Sequence, residues 1–541
     1  MAIPQQIRFS EMKQTRQEWD AKREIFSEYL AVQNGIFNKD LAFNKNKWRD
    51  LYAKKNINGN PQRYLRNLST CLTATLCPPD SKWASLVADD QTRDEQIWLK
   101  DATEKVLSTI NAANGSEYFT HMFFESPVFG EGVIAVNPSK TKDIDFVAYT
   151  AGTVWLDEND EGDYDTIYIA TAMNARQLAK RFGYDNLPDK IKNACDKVFT
   201  ECYTIVQAVE PNEKYLPEVK NEFNTPYIST IFLDGFSDNE CILEQKGMKR
   251  FRFAIFPWYK SFNSVYNAGI GGDVIGDVMD LQARERDLSM ASRIKVKPPL
   301  VVDKDLKNAG LSLTGDKLNW VKDPTNAVRP ALAFNLDTTD AKDNIARIEQ
   351  RIYNLTYNHL FNAITNRNKT MSATEVNQVS KEEMINLVGI VQRAVSALGH
   401  VVELVFQILY EKGKLPPNMP ESLRGKIVNV KFHSLLAQSQ SLSDLVLVER
   451  WIQAVAVLSN VNPIAKRKID ILEVADEFAR RLDINGRMVV PTEEILRQQL
   501  EEMEAMRQQS AAAQQAQGLV EMSEAAKNFA SAETIAQQAM I

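Results

Sequence analysis

Four consecutive residues with phosphate-binding chemistry form a short basic break between two helical segments. Asn366, Arg367, Asn368 and Lys369 combine two cations with two amides. Such side chains can donate hydrogen bonds to phosphate oxygens without reading the bases. The break therefore indicates non-specific contact with a nucleic acid backbone. A solvated turn between two helices is the plainer alternative, and the local sequence leaves both open.

A second basic cluster surrounds the proline pair at 298–299. Its members are Lys295, Lys297, Lys304 and Lys307. It has the same two interpretations, namely contact with phosphates and an ordinary solvated turn.

Sequence patterns for enzymatic chemistry are weak. The pattern GxxxxGK[ST] is absent, and the glycine cluster GIGGDVIG at 269–276 lacks the lysine of a phosphate-binding loop. The four histidines form no HExxH motif, and we expect His359 and His400 to be packing residues on helical stripes. The sequence therefore predicts no cofactor, no metal site and no enzymatic activity.

The acidic run from Asp157 to Gly162 resembles the start of a calcium-binding loop. Oxygen-bearing side chains alternate along it, but Tyr168 occupies the twelfth position, where such a loop carries glutamate. We therefore predict a solvated hairpin turn between two strands at 154–170.

Composition restricts the classes of protein further. The 541 residues are 44% hydrophobic and 25% charged, which is typical of globular chains. A net charge of −7 argues against a protein that wraps nucleic acid over its whole surface. Five cysteines without CxxC spacing favour reduced thiols inside a cell. The most apolar window, at 387–409, contains Arg393, His400 and Glu403, so we expect no contact with a membrane.

The elements that position the basic break are predominantly helical, and the predicted class is α+β. Short β-prone runs fill 127–260, with two short helices at 174–198. Helices are predicted at 10–53, 94–114, 273–295, from 341 onward and at 374–412. On the helix from 341, Ile345, Ile348, Ile352, Leu355 and His359 have the spacing of a stripe that packs on a partner helix.

Several motifs occur in the order found in portal (head-to-tail connector) proteins of short-tailed, podovirus-type bacteriophages, and the sequence resembles that family over about residues 10–500. LTATLCPPDSKWASL is similar to their small-residue helix that meets a proline and a tryptophan. FTHMFFESPVFGEGVIAV resembles their helix-to-strand passage. NAGIGGDVIGDVMDLQARERDLSMASRIKVKPPLVV and MSATEV resemble their glycine-approached helix and their "MTATEV" signature.

The resemblance implies the portal fold, in which identical chains form a ring with a central channel. It implies a wing at 1–272, stem helices at 273–297 and 341–361, a clip at 298–340 and a channel loop at 362–373. The long wing helix and its return would occupy 374–433, and a crown with a helical tail 434–541. The loop residues at 366–369 would contact DNA. The clip residues expected to meet partners are Lys304, Lys307, Lys317, Trp320 and Lys322.

The partners implied by the resemblance are eleven further copies of the chain and double-stranded DNA, bound without sequence preference. They also include the terminase large subunit, the major capsid and scaffolding proteins, and tail adaptors. The protein would be assembled in the host cytoplasm and end in the virion. Two alternatives stay open: a cytosolic metal-dependent DNA-processing enzyme, and a purely structural tail adaptor ring.

Overall fold

The computed structural model describes most of the chain up to residue 359 and selected segments beyond it. The described residues are 4–31, 55–79, 81–88, 92–139, 141–197, 201–218, 221, 223–236, 241–262, 264–297, 299–302, 304, 328–330, 339–359, 388–423, 428–432, 450–455, and 474, 497, 503, 506, 523 and 527.

Nine α-helices of eight residues or more lie in these described ranges. They are α1 (Pro4–Tyr29), α2 (Asn60–Leu76), α3 (Arg93–Ala112), α4 (Gly115–Phe129), α5 (Ala175–Phe182), α6 (Asp189–Lys197), α7 (Ile270–Val296), α8 (Thr339–Leu355) and α9 (Val388–Glu411). The mixture of helices with the sheets below confirms the α+β class.

The strands form four sheets in the described part of the chain. They are β1 (Ala84–Ala88), β2 (Glu131–Pro138), β3 (Ile144–Tyr149), β4 (Val154–Glu158), β5 (Tyr164–Asn174), β6 (Cys202–Pro211), β7 (Tyr227–Leu233), β8 (Ile242–Met248), β9 (Phe253–Pro257), β10 (Leu300–Val302), β11 (Val328–Pro330) and β12 (Val428–Phe432). The sheet orders are β4-β5-β6-β7-β8, β3-β2-β9, β1-β12 and β10-β11.

The two larger sheets are the centre of the first of two compact units, which contains residues 1–85, 102–415 and 430–432. One apolar cluster joins them, with Val133 and Phe253 from the three-stranded sheet and Leu156 and Ile167 from the five-stranded sheet. The outer face of the five-stranded sheet packs on helices α1, α5 and α6, where Phe9 stacks on Tyr168 with ring centroids 5.7 Å apart. Helices α4 and α9 pack on the three-stranded sheet.

The second unit contains residues 86–101, 416–429 and 433–541. Within it, the Trp98 indole N–H donates a hydrogen bond of 3.1 Å to the carbonyl oxygen of Pro416. Leu423, in a short 3₁₀ turn, is buried.

Helix α9 is the one described helix long and apolar enough to cross a bilayer by length and composition. It packs against strands β2 and β9, and Arg393 donates a hydrogen bond of 3.2 Å to the carbonyl oxygen of Pro257. These contacts are those of a core helix. Gly413, at a φ of +63°, ends it as predicted, with Lys414 N donating to the Leu409 carbonyl oxygen at 2.9 Å.

Several sequence predictions need correction. The sequence predicts that Pro61 ends a helical stretch, but Pro61 lies in the first turn of α2, where its missing N–H is tolerated. The strand after α4 starts at Glu131 and not at 127. Strand β8 was not predicted. Of the predicted helix at 374–412, the described part is α9, and residues 374–387 lie outside the described residues.

The predicted stripe on α8 is correct for its first three members and wrong for the last two. Ile345, Ile348 and Ile352 are buried, whereas Leu355 and His359 are exposed. Thr356 is buried instead, and its hydroxyl donates to the Ile352 carbonyl oxygen at 2.8 Å. Helix α8 ends at Leu355, and Tyr357 takes a φ of +56°, so the helical spacing stops before it reaches His359.

Candidate functional site

Most residues that the sequence singled out lie outside the described part of the chain. This is true of Asn366, Arg367, Asn368 and Lys369 in the basic break, and of Lys307, Lys317, Trp320 and Lys322 in the insert. Lys304 is described and is exposed to solvent. The candidate site that the structure describes is therefore formed by α7 and α8, the helices before and after the insert.

Helices α7 and α8 pack side by side and run antiparallel. Asp277, near the start of α7, forms an ion pair of 2.8 Å with Arg351, near the end of α8. Val274, Val278 and Leu281 of α7 and the three isoleucines of α8 are among the buried apolar residues of these helices. At the far end, Val301 pairs with Arg329 in the two-stranded sheet that closes the base of the insert. The β10–β11 ladder thus joins the chain that follows α7 to the chain that precedes α8.

An open polar cleft of about 530 Å³ lies along this hairpin. Three guanidinium groups line it, those of Arg284, Arg347 and Arg351. Arg284 Nε lies 3.0 and 2.9 Å from the two carboxylate oxygens of Asp280.

The two halves of α7 differ in burial. Its first 13 residues contain all of its buried residues, the last of which is Gln282. From 283 to 297 no residue is buried, and Met290 and Val296 are 58% and 77% exposed. At 1.5 Å per residue, these 15 residues span about 22 Å.

The loop before α2 fixes the middle of the hairpin. The Gln282 side-chain oxygen accepts hydrogen bonds from the backbone N–H groups of Ile57 and Asn58, at 2.7 and 2.9 Å. The Asn58 amide donates to Glu285 of α7 at 2.9 Å and to Glu349 of α8 at 2.6 Å. One asparagine therefore joins both helices to the rest of the first unit.

The start of α7 is seated on the turn between α4 and β2. Gly130 has a φ of +106°, and a Cβ there would lie 1.9 Å from the carbonyl oxygen of Asn267. A Cβ on Gly269 or Gly271 would lie 2.5 or 2.2 Å from the carbonyl oxygens of Pro127 and Val128. Only glycine permits this backbone approach. The segments PVFGEG and NAGIGG, predicted separately, are thus in direct contact.

A buried ionic network surrounds this contact. Glu131 accepts hydrogen bonds from the backbone N–H of Asn267 at 2.5 Å and from the guanidinium of Arg23. The Asn267 amide also donates to the Tyr164 hydroxyl at 2.7 Å. Burial raises the pKa of the Glu131 carboxyl, while Arg23 and the Asn267 donors oppose that shift. No sequence pattern indicated this network, because its members are far apart along the chain.

The described residues do not supply the geometry of a metal or catalytic site. No group of three or more His, Cys, Asp or Glu side chains in those ranges could hold a metal ion. Burial lowers the pKa of His121, and the His400 imidazole lies 3.9 Å from Glu403. None of the five cysteines, all in described segments, takes part in a disulfide.

The acidic run at 157–162 is a hairpin turn, as predicted. The Asn159 side-chain oxygen accepts from the N–H groups of Glu161 and Asp163 at 3.0 and 2.9 Å, and Gly162 has a φ of +83°. The Lys260 ammonium donates to Glu158 and to the Gly162 carbonyl oxygen. A lysine therefore occupies the side of the turn where a calcium loop would hold its cation.

Comparisons with known proteins give a consistent result. A family model described as "Bacteriophage head to tail connecting protein" matches residues 5–489. A probable portal protein of Bordetella phage BPP-1 is 27% identical over 547 residues, which cover 98% of this chain and 96% of the relative. The portal protein of Salmonella phage epsilon15 is 25% identical over 472 residues, 84% of each chain.

Among solved structures, a chain from the virion of a native gene transfer agent particle covers 80% of this chain and 95% of its own length. It is 8% identical with a TM-score of 0.37, which is too low to support an argument.

Proposed function

The chain belongs to the family of bacteriophage head-to-tail connecting proteins, and from this membership we propose that it is the portal protein of a phage. In this role identical copies form a ring at one vertex of the capsid. Double-stranded DNA passes through the ring during packaging and ejection. The ring binds the terminase large subunit and later the tail adaptors, and capsid and scaffolding proteins surround it. It is a structural part of the virion rather than an enzyme.

The observation that carries the proposal is the exposed second half of α7. A helix of 15 residues without one buried side chain, but with apolar residues such as Met290 and Val296, needs a further surface to cover it. Head-to-tail packing of identical copies supplies such a surface and closes into a ring when the rotation between neighbours fits. We assign α7 and α8 as the stem of this ring.

The remaining parts follow from the stem. Residues 1–272 would form the wing, 298–340 the clip, 374–433 the long wing helix with its return, and 434–541 the crown. In the clip, Lys304, Lys307, Lys317, Trp320 and Lys322 would meet the motor and the tail. The exposure of Lys304 and the short β10-β11 ladder support a projecting insert.

The loop at 362–373 would line the channel, with Arg367 and Lys369 as its contacts to the DNA backbone. A channel must release DNA of any sequence, so a few cations in a chain of net charge −7 suit it better than a continuous basic surface. Each added phosphate contact would make the grip tighter and more salt-dependent.

The experiment that tests the proposal is the mass of the purified full-length protein, measured by light scattering with electron microscopy of the same peak. Twelve chains of 61.3 kDa give about 736 kDa, and we expect a ring with a central hole at that mass. A stable dimer without rings, both alone and with scaffolding protein, would overturn the proposal.

The same preparation tests the channel loop. We expect Arg367→Ala with Lys369→Ala to leave the ring mass unchanged and to reduce the DNA packaged per capsid. The matched control is Lys180→Ala with Arg181→Ala, two exposed cations on helix α5. Normal DNA content in the loop variant would remove the loop from the proposal and leave the ring in place.

A further inference from the structure

A cluster of lysines lies in the first unit, on residues that belong to neither helix of the α7–α8 hairpin. It is an open cleft of about 520 Å³ between helix α3, the turn after β2 and the residues that follow α9. Its charged lining residues are Lys105, Lys142, Asp143 and Lys414. None of the roles proposed above uses this cleft.

Positive charge exceeds negative charge around the cleft. Lys414 forms an ion pair with Asp143, and Lys105 Nζ lies 3.8 Å from the same carboxylate. Lys412 Nζ donates to the backbone carbonyl oxygens of Ser139 and Asp143, at 2.5 and 2.7 Å, so these two contacts leave its charge uncompensated. Among the residues named here there are therefore four lysines and one carboxylate, and two of the lysines contact that carboxylate.

The carboxylate is ionised, so the excess is three positive charges. The hydrogen bond from Lys414 lowers the pKa of Asp143, and the charges of Lys105 and Lys412 lower it further. The chain as a whole carries a net charge of −7, which makes this local excess a departure from the general surface. Lys105 and Lys414 are about half exposed, so their ammonium groups can reach a ligand.

We propose that this cleft binds phosphate groups of the double-stranded DNA backbone. Lysine ammonium groups are point charges with three donors each, which suits phosphate oxygens. An open cleft lined by several of them fits a phosphate that projects from a long ligand. The proposal rests on the proposed function, which brings double-stranded DNA to the protein, and it adds a DNA contact in the wing.

The purely structural alternative is that the lysines tie the turn after β2 to the end of α9 and bind nothing. Asp143 separates the two interpretations. If the cleft binds phosphate, Asp143→Asn removes the one competing anion and should tighten DNA binding. If the cluster is only structural, the same substitution lowers the stability of the protein and leaves its affinity for DNA unchanged.

The test measures binding of a fluorescent duplex of about 24 base pairs to the full-length protein over a series of NaCl concentrations. In Lys105→Gln/Lys142→Gln/Lys414→Gln we expect affinity at about 50 mM salt to fall at least about tenfold, and the slope of log K against log salt to flatten by about 0.9 per lost contact. Asp143→Asn should bind the duplex several-fold more tightly. The control is Lys180→Gln/Lys190→Gln/Lys214→Gln, which removes equal charge from exposed positions elsewhere.

Ring mass and thermal midpoint are measured for every variant. Lys142→Gln alone, which keeps the contacts of Asp143, gives a second reading if the triple variant is unstable. Equal slopes of log K against log salt for the parent and the triple variant would overturn the inference. The inference would also be overturned if the triple variant lost its binding of inorganic triphosphate or of polyglutamate while its binding of the duplex stayed intact. If the parent forms no ring, the proposed function fails; if rings form and duplex binding is insensitive to the lysines, only this inference fails.

Discussion

Two arginines of the first helix are buried almost completely, at 2% exposure for Arg16 and 1% for Arg23. Arg16 donates hydrogen bonds of 3.2 and 3.0 Å to the carbonyl oxygens of Ala151 and Gly152, and its guanidinium lies 3.8 Å from the Trp155 ring centroid. Arg23 is the ionic partner of Glu131. Because a buried charge is costly unless it is paired, these contacts bind α1 to one position on the sheets.

Removing one partner of the Arg23–Glu131 pair should be more harmful than removing both. We expect Arg23→Met to lower the free energy of unfolding by roughly 3–5 kcal/mol, because Glu131 would stay buried without its cation. Arg23→Met with Glu131→Gln should cost clearly less, since the glutamine can still accept from Asn267. Urea denaturation followed by tryptophan fluorescence measures both. Equal losses in the single and double variants would contradict this account.

These residues could not be identified from the sequence. An arginine in a charged amphipathic helix is ordinarily assigned to the solvent side, and nothing near Arg23 indicates a glutamate 108 positions later. The acidic hairpin turn at 157–162 could be predicted, because its conformation is determined by local turn chemistry. At the residue scale, local signals were reliable and long-range pairing was not accessible.

At the scale of elements, the start of α7 packs on the turn after α4. Two glycines of α7 differ in whether their surroundings leave room for a side chain. Gly271 lies against the Val128 carbonyl oxygen, whereas a Cβ on Gly276 would meet nothing within 4 Å. We expect Gly271→Ala to destabilise the protein by about 1–3 kcal/mol, since backbone must move. Gly276→Ala should stabilise it by about 0.5–1 kcal/mol through lower entropy of the unfolded chain.

Thermal unfolding of the two alanine variants beside the parent measures this difference. The pair controls itself, because the substitution, the helix and the added methyl group are the same. A loss of stability in both variants, or in neither, would show that the close backbone approach at Gly271 does not determine the position of the start of α7.

Most elements could be predicted because periodicity and turn residues report on them directly. Helices α5 and α6, seven of the strands between residues 131 and 257, and helices α7 and α8 were predicted, and α7 and α8 begin within three residues of the expected positions. Strand β8 was missed because ILEQKGM is half-exposed at the edge of its sheet, so it lacks a continuous apolar face. The end of α8 was missed because the backbone turn at Tyr357 overrides the apolar spacing.

At the scale of the whole molecule, the order of motifs was informative where composition was not. Net charge, hydropathy and the absence of catalytic motifs describe many globular proteins. The family could be identified because PVFGEG, NAGIGG and MSATEV occur in one order over most of the chain. How copies meet is not encoded in any one segment, since an interface joins surfaces that a single chain leaves exposed. In the proposed ring, the exposed half of α7 would be the part of this interface that one chain displays.

Glutamate substitutions in the exposed half of α7 should prevent ring formation without unfolding the subunit. We expect Met290→Glu or Val296→Glu to abolish the 736 kDa species while the unfolding free energy of the subunit stays within about 0.5 kcal/mol of the parent, because neither side chain is buried in the single chain. In a closed ring the penalty of covering a carboxylate is repeated at every subunit contact, so a modest cost per interface is multiplied. Leu216→Glu, at a loop position of similar exposure (61%), is the control and should assemble normally. Rings of full mass from both stem variants would mean that another surface closes the ring, and that the exposed half of α7 faces the channel or solvent.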